Sequence, residues 1–296
     1  MNKFDRVYRL IIGKEGQKGV EILPPFNIDF EIRKDTKEEP NQWQVTVYNL
    51  APETREKINK PDLFCVLYAG YSEEEGEILI AAGHIVDSRI DRNETDVKTV
   101  LSVADGWVNV RDTAVSLGYG QGIDAHSIIK DIAKQMKLHL VMDAALPNRT
   151  WSNGFSFYGA AKTALHKVVQ GSGLEWSIQN NTLQIIEKGK TTKRMAVVLS
   201  SSTGLIGFPE QTQEGAREKA EVKDKKTGDN KKIVSAEQEK AGWRVNALLT
   251  PQINPGDLVK LQSKDIQAWM RVEEVGHVGS WQGGDWSTEL QLSEVK

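Results

Sequence analysis

Apolar and polar residues alternate through much of the first 115 positions. In Phe26-Asn27-Ile28-Asp29-Phe30-Glu31-Ile32 the apolar side chains share one face, and Trp43-Gln44-Val45-Thr46-Val47-Tyr48 repeats the pattern. A period of two predicts strands with one face on a core and the other on solvent or a neighbour. Residues 7–12, 63–71, 77–89 and 96–105 read as further strands. Asn49-Leu50-Ala51-Pro52-Glu53-Thr54 predicts the start of a short helix. Its cap is either Asn49 or Ala51, the latter placing Pro52 at the first helical position. Many short strands joined by Gly, Asn and Asp turns predict a barrel or sandwich.

The period changes between about 116 and 188. Ile128, Ile129, Ile132 and Met136 fall on one face of a helix over 124–137 with Asp124 as N-cap, and 138–142 follows as a strand. A second helix over 159–171 turns Ala161, Leu165, Val168 and Val169 inward and stops at Gly171-Ser172-Gly173. Residues 174–178 and 182–186 read as a hairpin across Gln179-Asn180-Asn181. Strand patterns return at 195–199, 243–249, 258–261, 268–277 and 286–292, with Pro255-Gly256-Asp257 as a turn. Residues 214–241 interrupt them with 15 charged side chains, eight basic and seven acidic, and read as a solvated insertion between two strands. The expected organisation is mainly β with an α+β insertion: a β domain at 1–115, a small α+β domain at 116–190, and a second β domain at 191–296 carrying the charged insertion 214–241.

Composition narrows the function classes. The 296 residues are 39% hydrophobic and 27% charged, with a net charge of −3, which gives no reason to expect binding by phosphate neutralisation. The single cysteine, Cys65, sits in the apolar run Leu63-Phe64-Cys65-Val66-Leu67 and reads as a buried free thiol in a chain made in a reducing compartment. The first ten residues lack the apolar core of a signal peptide, and no apolar run approaches the ~20 residues of a membrane-spanning helix.

Catalytic and ligand-binding patterns are lacking. Gly118-Tyr119-Gly120-Gln121-Gly122 precedes a helix, but the spacing matches neither dinucleotide nor nucleoside-triphosphate loops, and Asp124 would repel an anion there; the stretch reads as an inter-domain turn. His84, His126, His139, His166 and His277 show no metal-ligand spacing and read as surface or half-buried residues. No G-x-S-x-G is present, and Glu73-Glu74-Glu75 reads as a solvated turn. No catalytic, cofactor-binding or metal residues are therefore assigned. Of eight tryptophans, Trp107, Trp151, Trp243, Trp269, Trp281 and Trp286 lie near strand ends or loops. Core and barrel-end packing is the simpler reading, though the Trp281-Gln-Gly-Gly-Asp-Trp286 turn offers an aromatic rim for a partner.

Three sets of residues, in order along the chain, carry a resemblance. Tyr48-Asn49-Leu50-Ala51-Pro52-Glu53-Thr54, Val66-Leu67-Tyr68-Ala69-Gly70-Tyr71, Gly83-His84-Ile85 and Ala104-Asp105-Gly106 resemble the N-terminal barrel of hub proteins from contractile phage tails (late-control-D-like). The helix at 124–137 and the segment 165–186 resemble the small α+β domain of those proteins, and are also similar to the short N-terminal modules of secretins. Thr203-Gly204-Leu205-Ile206-Gly207-Phe208-Pro209, the segment 249–257 and Val272-Glu273-Glu274-Val275-Gly276-His277 resemble their second barrel. The match lapses at 214–241.

The resemblance implies two tail-tube-like β-barrels flanking the α+β domain. It implies a structural baseplate hub, not an enzyme. Three chains would form a pseudo-sixfold ring between the sixfold tail tube and the threefold spike, with DNA passing through on ejection. The implied partners are other copies of the chain, the tail tube or tube-initiator protein, the central spike and the baseplate wedge proteins. Neither sequence-specific nucleic-acid binding nor a membrane anchor is implied. The implied place is the tail baseplate of the virion, after synthesis in the host cytoplasm. Two alternatives stand beside this reading: a tail-associated cell-wall hydrolase, and the hub or spike base of a non-phage contractile injection system.

Overall fold

The computed structural model describes residues 5–73, 76–92, 95–194, 196–213, 221–223, 230–232 and 241–295. The first region contains β1 (Arg6–Gly13), β2 (Val20–Ile22), β3 (Ile28–Asp35), β4 (Gln42–Tyr48), α1 (Pro52–Ile58), β5 (Phe64–Tyr71), β6 (Gly76–Arg92) and β7 (Val97–Ala104). The middle contains α2 (Trp107–Asp112), β8 (Ala114–Tyr119), β9 (Ile123–Asp124), α3 (Ala125–Met136), β10 (His139–Met142), β11 (Thr150–Trp151), β12 (Phe155–Ala160), α4 (Ala161–Gln170), β13 (Leu174–Gln179) and β14 (Thr182–Glu187). The last region contains β15 (Val197–Ser200), β16 (Leu205–Gln213), β17 (Glu221–Lys223), β18 (Asn230–Lys232), β19 (Ala241–Leu248), β20 (Leu258–Gln262), β21 (Gln267–Ser280) and β22 (Trp286–Glu294).

Local chemistry explains most boundaries. Asp124 caps α3 by accepting the Ser127 N–H, and Lys137 ends it in the left-handed conformation. Ala51, not Asn49, begins α1, with Pro52 at its start. Asn49 instead adopts φ +55° and ties the chain to β7 by accepting the Val97 N–H. The β13–β14 hairpin turns on Asn180 and Asn181, both at positive φ, as the tight primed turn requires.

The two β regions are not separate sheets. They join in one 13-stranded sheet whose main path runs β16-β19-β22-β21-β3-β4-β7-β6-β5-β1-β2, with β20 branching from β21 and β15 from β20. The seam is antiparallel pairing of β3 with β21, from Glu274 opposite Asp35 to Ser280 opposite Asp29. Six strands on each side share the same connectivity, and β2 is a seventh on the first side. The path β3-β4-β7-β6-β5-β1 corresponds, strand for strand, to β16-β19-β22-β21-β20-β15. Both long strands, β6 and β21, carry a register shift at the matching place, Ile85/Asp87 and Val272/Glu274. Trp43 and Trp243 occupy matching positions, opposite Val103 and Leu292. One difference is that β1 meets β5 antiparallel whereas β15 meets β20 parallel.

Three apolar cores result among the described residues. The first, around Leu10, Ile32, Val45 and Leu67, also takes Leu249 and Trp286 from across the seam. The second packs α3 and α4 on Trp176, Ile178 and Leu183. The third contains Val245, Val259, Met270 and Leu290.

Several expectations need correction. Phe26 does not join the inward face of its strand; its N–H closes a turn onto Leu23 and the side chain is exposed, so the inward series is Ile28, Phe30, Ile32 and Lys34. The glycine-rich stretch at 118–122 is no linker. Gly118 and Tyr119 end β8, paired with β12, a strand pair hidden in the sequence because its outer face carries small residues such as Ala114, Ser116 and Gly118. Most of the charged stretch 214–241 lies outside the described residues, apart from the antiparallel pair β17–β18 and the start of β19. Glu74 and Glu75 lie outside them too.

At the seam, a Cβ built on Gly279 would lie 2.2 Å from Phe30 Cζ and 2.8 Å from Trp286 Cε3. Phe30 and Trp286 themselves meet edge to face at 5.2 Å. Gly279→Ala is expected to cost about 2 kcal/mol by overpacking, measured by urea unfolding; an unchanged midpoint would show that the seam accommodates a side chain.

Candidate functional site

β3 delivers a lysine where its period calls for an apolar residue. Lys34 is 2% exposed, and its Nζ donates to the Ile80 carbonyl, to Asn180 Oδ1 at 2.7 Å and to Asn254 Oδ1 at 3.2 Å. These acceptors come from β6, from the β13–β14 turn and from the turn before β20, so one ammonium touches all three regions. Asp105, just after β7, is equally buried and accepts the successive N–H groups of Asn180 and Asn181 at 2.7 and 2.6 Å. The positive-φ asparagine turn thus forms a small anion nest for an internal carboxylate. Burial pushes the Asp105 carboxyl up, opposed by the Lys34 charge and these N–H groups. Burial likewise pulls the Lys34 ammonium down, opposed mainly by Asp105.

Further polar contacts surround this pair. Asn41 Nδ2 donates to the Ile178 carbonyl at 2.8 Å, and Gln179 Nε2 to the Asp35 carbonyl at 2.7 Å. On the other flank, the Pro255-Gly256-Asp257 turn docks on the α+β region. Thr192 N–H donates to the Gly256 carbonyl at 2.7 Å and Gln184 Nε2 to the Pro255 carbonyl at 3.2 Å. Gly256 sits at φ +85° with Gln184, Ile186 and Thr192 within 3.3 Å of where a Cβ would stand. Asp257 accepts the Asn254 N–H at 3.0 Å, and burial raises its carboxyl. Arg271, 3% exposed, pairs with Glu175 and with Glu273. The α+β region is therefore held between the two six-stranded units chiefly by directional polar contacts. Such contacts set orientation more than they add stability.

The histidines depart from expectation. His139 and His166 are exposed, but His84, His126 and His277 are buried. His277 Nδ1 lies within hydrogen-bond distance, 2.9 Å, of Thr288 Oγ1, which also accepts the Thr250 N–H. Burial, then the Lys34 charge, hold its pKa well below the usual range and keep it neutral. His84 faces Glu15 at 3.6 Å, and burial lowers its pKa. Among the described residues no group of three or more His, Cys, Asp or Glu is placed to hold a metal.

Other singled-out residues pack, cap or pair within the fold. Cys65 is a buried free thiol, pushed up by burial, and so a poor nucleophile. Asp124 occupies the start of α3 with its own carboxylate, held down to about 2 by the Ser127 and Asn148 side chains. Trp281 and Trp286 form no outward rim. Trp281 packs edge-on against Tyr8 and donates to the Arg6 carbonyl, while Trp286 lies in the first core. Trp269 is the outward tryptophan, 48% exposed, under Lys260 and in register with Val198 across β20. Trp107, Trp151 and Trp243 are half-buried. The junction carried one sequence signal, a lysine at the inward phase of an alternating strand; its partners lie 46 to 220 residues away and gave none.

Lys34→Met and Asp105→Asn are each expected to destabilise the chain by about 3 kcal/mol, because each strands a buried charge. The double variant should lose at least about 1 kcal/mol less than the sum, read by urea unfolding. Strict additivity would show that the two charges do not sense each other.

Comparison with known proteins gives the geometry a family. A search of curated proteins finds no match. Among solved structures, a tail protein from Neisseria meningitidis MC58 matches with TM-score 0.63 and 13% identity, covering 97% of this chain and 96% of that one. A 43 kDa tail protein of prophage MuSo2 from Shewanella oneidensis matches with TM-score 0.63 and 12% identity, covering 98% of each. An Escherichia coli component of the type VI secretion system, described as structurally similar to T4 bacteriophage tail proteins gp27 and gp5, matches with TM-score 0.60 and 11% identity, covering 97% of this chain and 77% of that one. At such identities the likeness shows a shared fold. The family model "Baseplate hub gp41" matches residues 12–227, well over half of the chain. On that match, the chain belongs to the baseplate hub gp41 family.

Proposed function

We propose that three copies of this chain form a pseudo-sixfold ring at the baseplate, joining the sixfold tail tube to the threefold central spike and letting DNA pass on ejection. Each chain contributes two six-stranded barrels, one within 1–115 and one within 191–296, with the α+β domain at 116–190 beside them. The observation that carries this reading is the repeated connectivity. Two units of one design stand side by side through β3 and β21, so three chains supply six similar units. A closed ring also removes exposed sheet edges, which otherwise invite uncontrolled pairing. The tube or tube-initiator protein, the spike and the wedge proteins are the partners of such a ring. Its role is structural, without catalysis, in the tail baseplate of a virion made in the host cytoplasm. The likeness to the secretion-system component favours, as a second reading, the same role in a non-phage contractile machine.

Light scattering of the purified chain, alone and with its spike, is expected to give a trimer, and microscopy of particles a threefold hub. A monomer absent from purified particles would overturn the proposal. Clear lysis in a cell-wall zymogram would instead favour a hydrolase.

The charged stretch falls between β16 and β19, the place held in the first unit by the short β3–β4 connection. Deleting residues 216–240 should leave the melting temperature within a few degrees, since the counterpart closes without it. Assembly with tube, spike or wedge is expected to fall; normal assembly would mean the stretch contacts none of them.

A further inference from the structure

The seam inside the chain also describes a surface that is left open. β21 uses one edge for β22, and on its other edge pairs first with β20, through Gln267–Arg271, and then with β3, through Glu274–Ser280. β6 matches β21 along its length. It pairs with β7 on one edge and with β5 on the other, through Gly76–His84. The shared register shift aligns Ile85 with Val272 and Asp87 with Glu274. The connecting turns agree: Ile85 exchanges backbone hydrogen bonds with Asp62 and Leu63, as Val272 does with Gly256 and Asp257. Beyond this point β21 is covered by β3. On β6, among the described residues, no strand pairs with that edge of residues 86–92.

Side-chain exposure follows the same comparison. The alignment sets Ile90 against His277. His277 is fully buried, whereas Ile90 is 40% exposed on a strand whose counterpart is covered. The strand that covers β21 is β3, and the counterpart of β3 is β16. Among the described residues β16 pairs only with β19, on one side, and beside its bulge it exposes Ile206 at 45% and Phe208 at 70%. Among the described residues each unit thus contains one half of the seam without a partner strand, and both halves carry exposed apolar side chains.

We propose that β16 of one chain pairs antiparallel with the 86–92 segment of β6 in a second copy of this chain, repeating the β3–β21 seam between subunits. The inference deepens the ring reading and rests on it. The matched tryptophans set the register. Ile32 lies opposite Trp43 and Gln211 opposite Trp243, so Gln211 is the counterpart of Ile32. Because Ile32 faces His277 across the internal seam, Gln211 faces Ile90 of the second copy. Glu210 then meets Asp91, and Arg89, already bonded to Asp91 at 3.2 Å, lies diagonally across from it and supplies the cation between the two carboxylates. Every chain offers one β16 and one β6, so the contact is head-to-tail and closes when three chains complete the turn.

The test mixes full-length Ile90→Cys chains with full-length Gln211→Cys chains under mild oxidation. Cys65 stays silent because its thiol is buried. A reducible species of twice the chain mass is expected from the mixture, with none from either variant alone. Ile90→Arg and Phe208→Asp should each remove the trimer in light scattering while leaving the melting curve in place. A trimer that forms but does not cross-link in the mixture would overturn the strand pairing and leave the ring standing. No oligomer by the chain or in particles would overturn the ring, and this inference with it.

Discussion

The pairing of β3 with β21 organises the molecule. Two strands about 240 residues apart lie side by side for seven residue pairs, and this seam turns two β regions into one sheet. It brings Phe30 against Gly279 and Trp286, so that the first core extends across it. It also places Lys34 at the end of the buried series, where β3, β6 and the turn before β20 converge. Moving β3 by one residue would turn every side chain to the other face, so the seam register and the buried lysine depend on each other.

The junction around Lys34 and Asp105 is costly. A buried ammonium and a buried carboxylate both give up water, and only a full set of partners offsets the loss. Lys34 has three acceptors, and Asp105 has two backbone donors held by the Asn180-Asn181 turn. An apolar contact would tolerate sliding; these bonds do not, because each has a fixed length and direction. The polar contacts on the Pro255-Gly256-Asp257 turn and the Arg271–Glu175 pair work the same way on the other flank. The ring proposed above would need a fixed orientation between neighbouring units, since small angular errors accumulate around a closed assembly.

The baseplate hub family and the repeated connectivity support each other. The duplication is invisible in the residues, apart from such points as Trp43 with Trp243 and the paired register shifts. It is plain in the strand order. Differences between the units then show where each has specialised. One is the parallel pairing of β15; another is the charged stretch placed where the first unit has only the β3–β4 connection.

The local period of the chain determined most elements by itself: the alternation in β3 and β4, the Asp124 cap of α3, the apolar face of α4 and the Asn180-Asn181 turn are all encoded within a few residues. The order of motifs carried the hub resemblance. Tertiary structure alone decided the joining of the two β regions, the burial of Lys34, His84 and His277, and the inward packing of Trp281 and Trp286. Each of those depends on partners tens to hundreds of residues away. A strand's period states that one face is covered; it does not state by what, and a charged side chain is tolerated inside only once distant partners arrive to satisfy it.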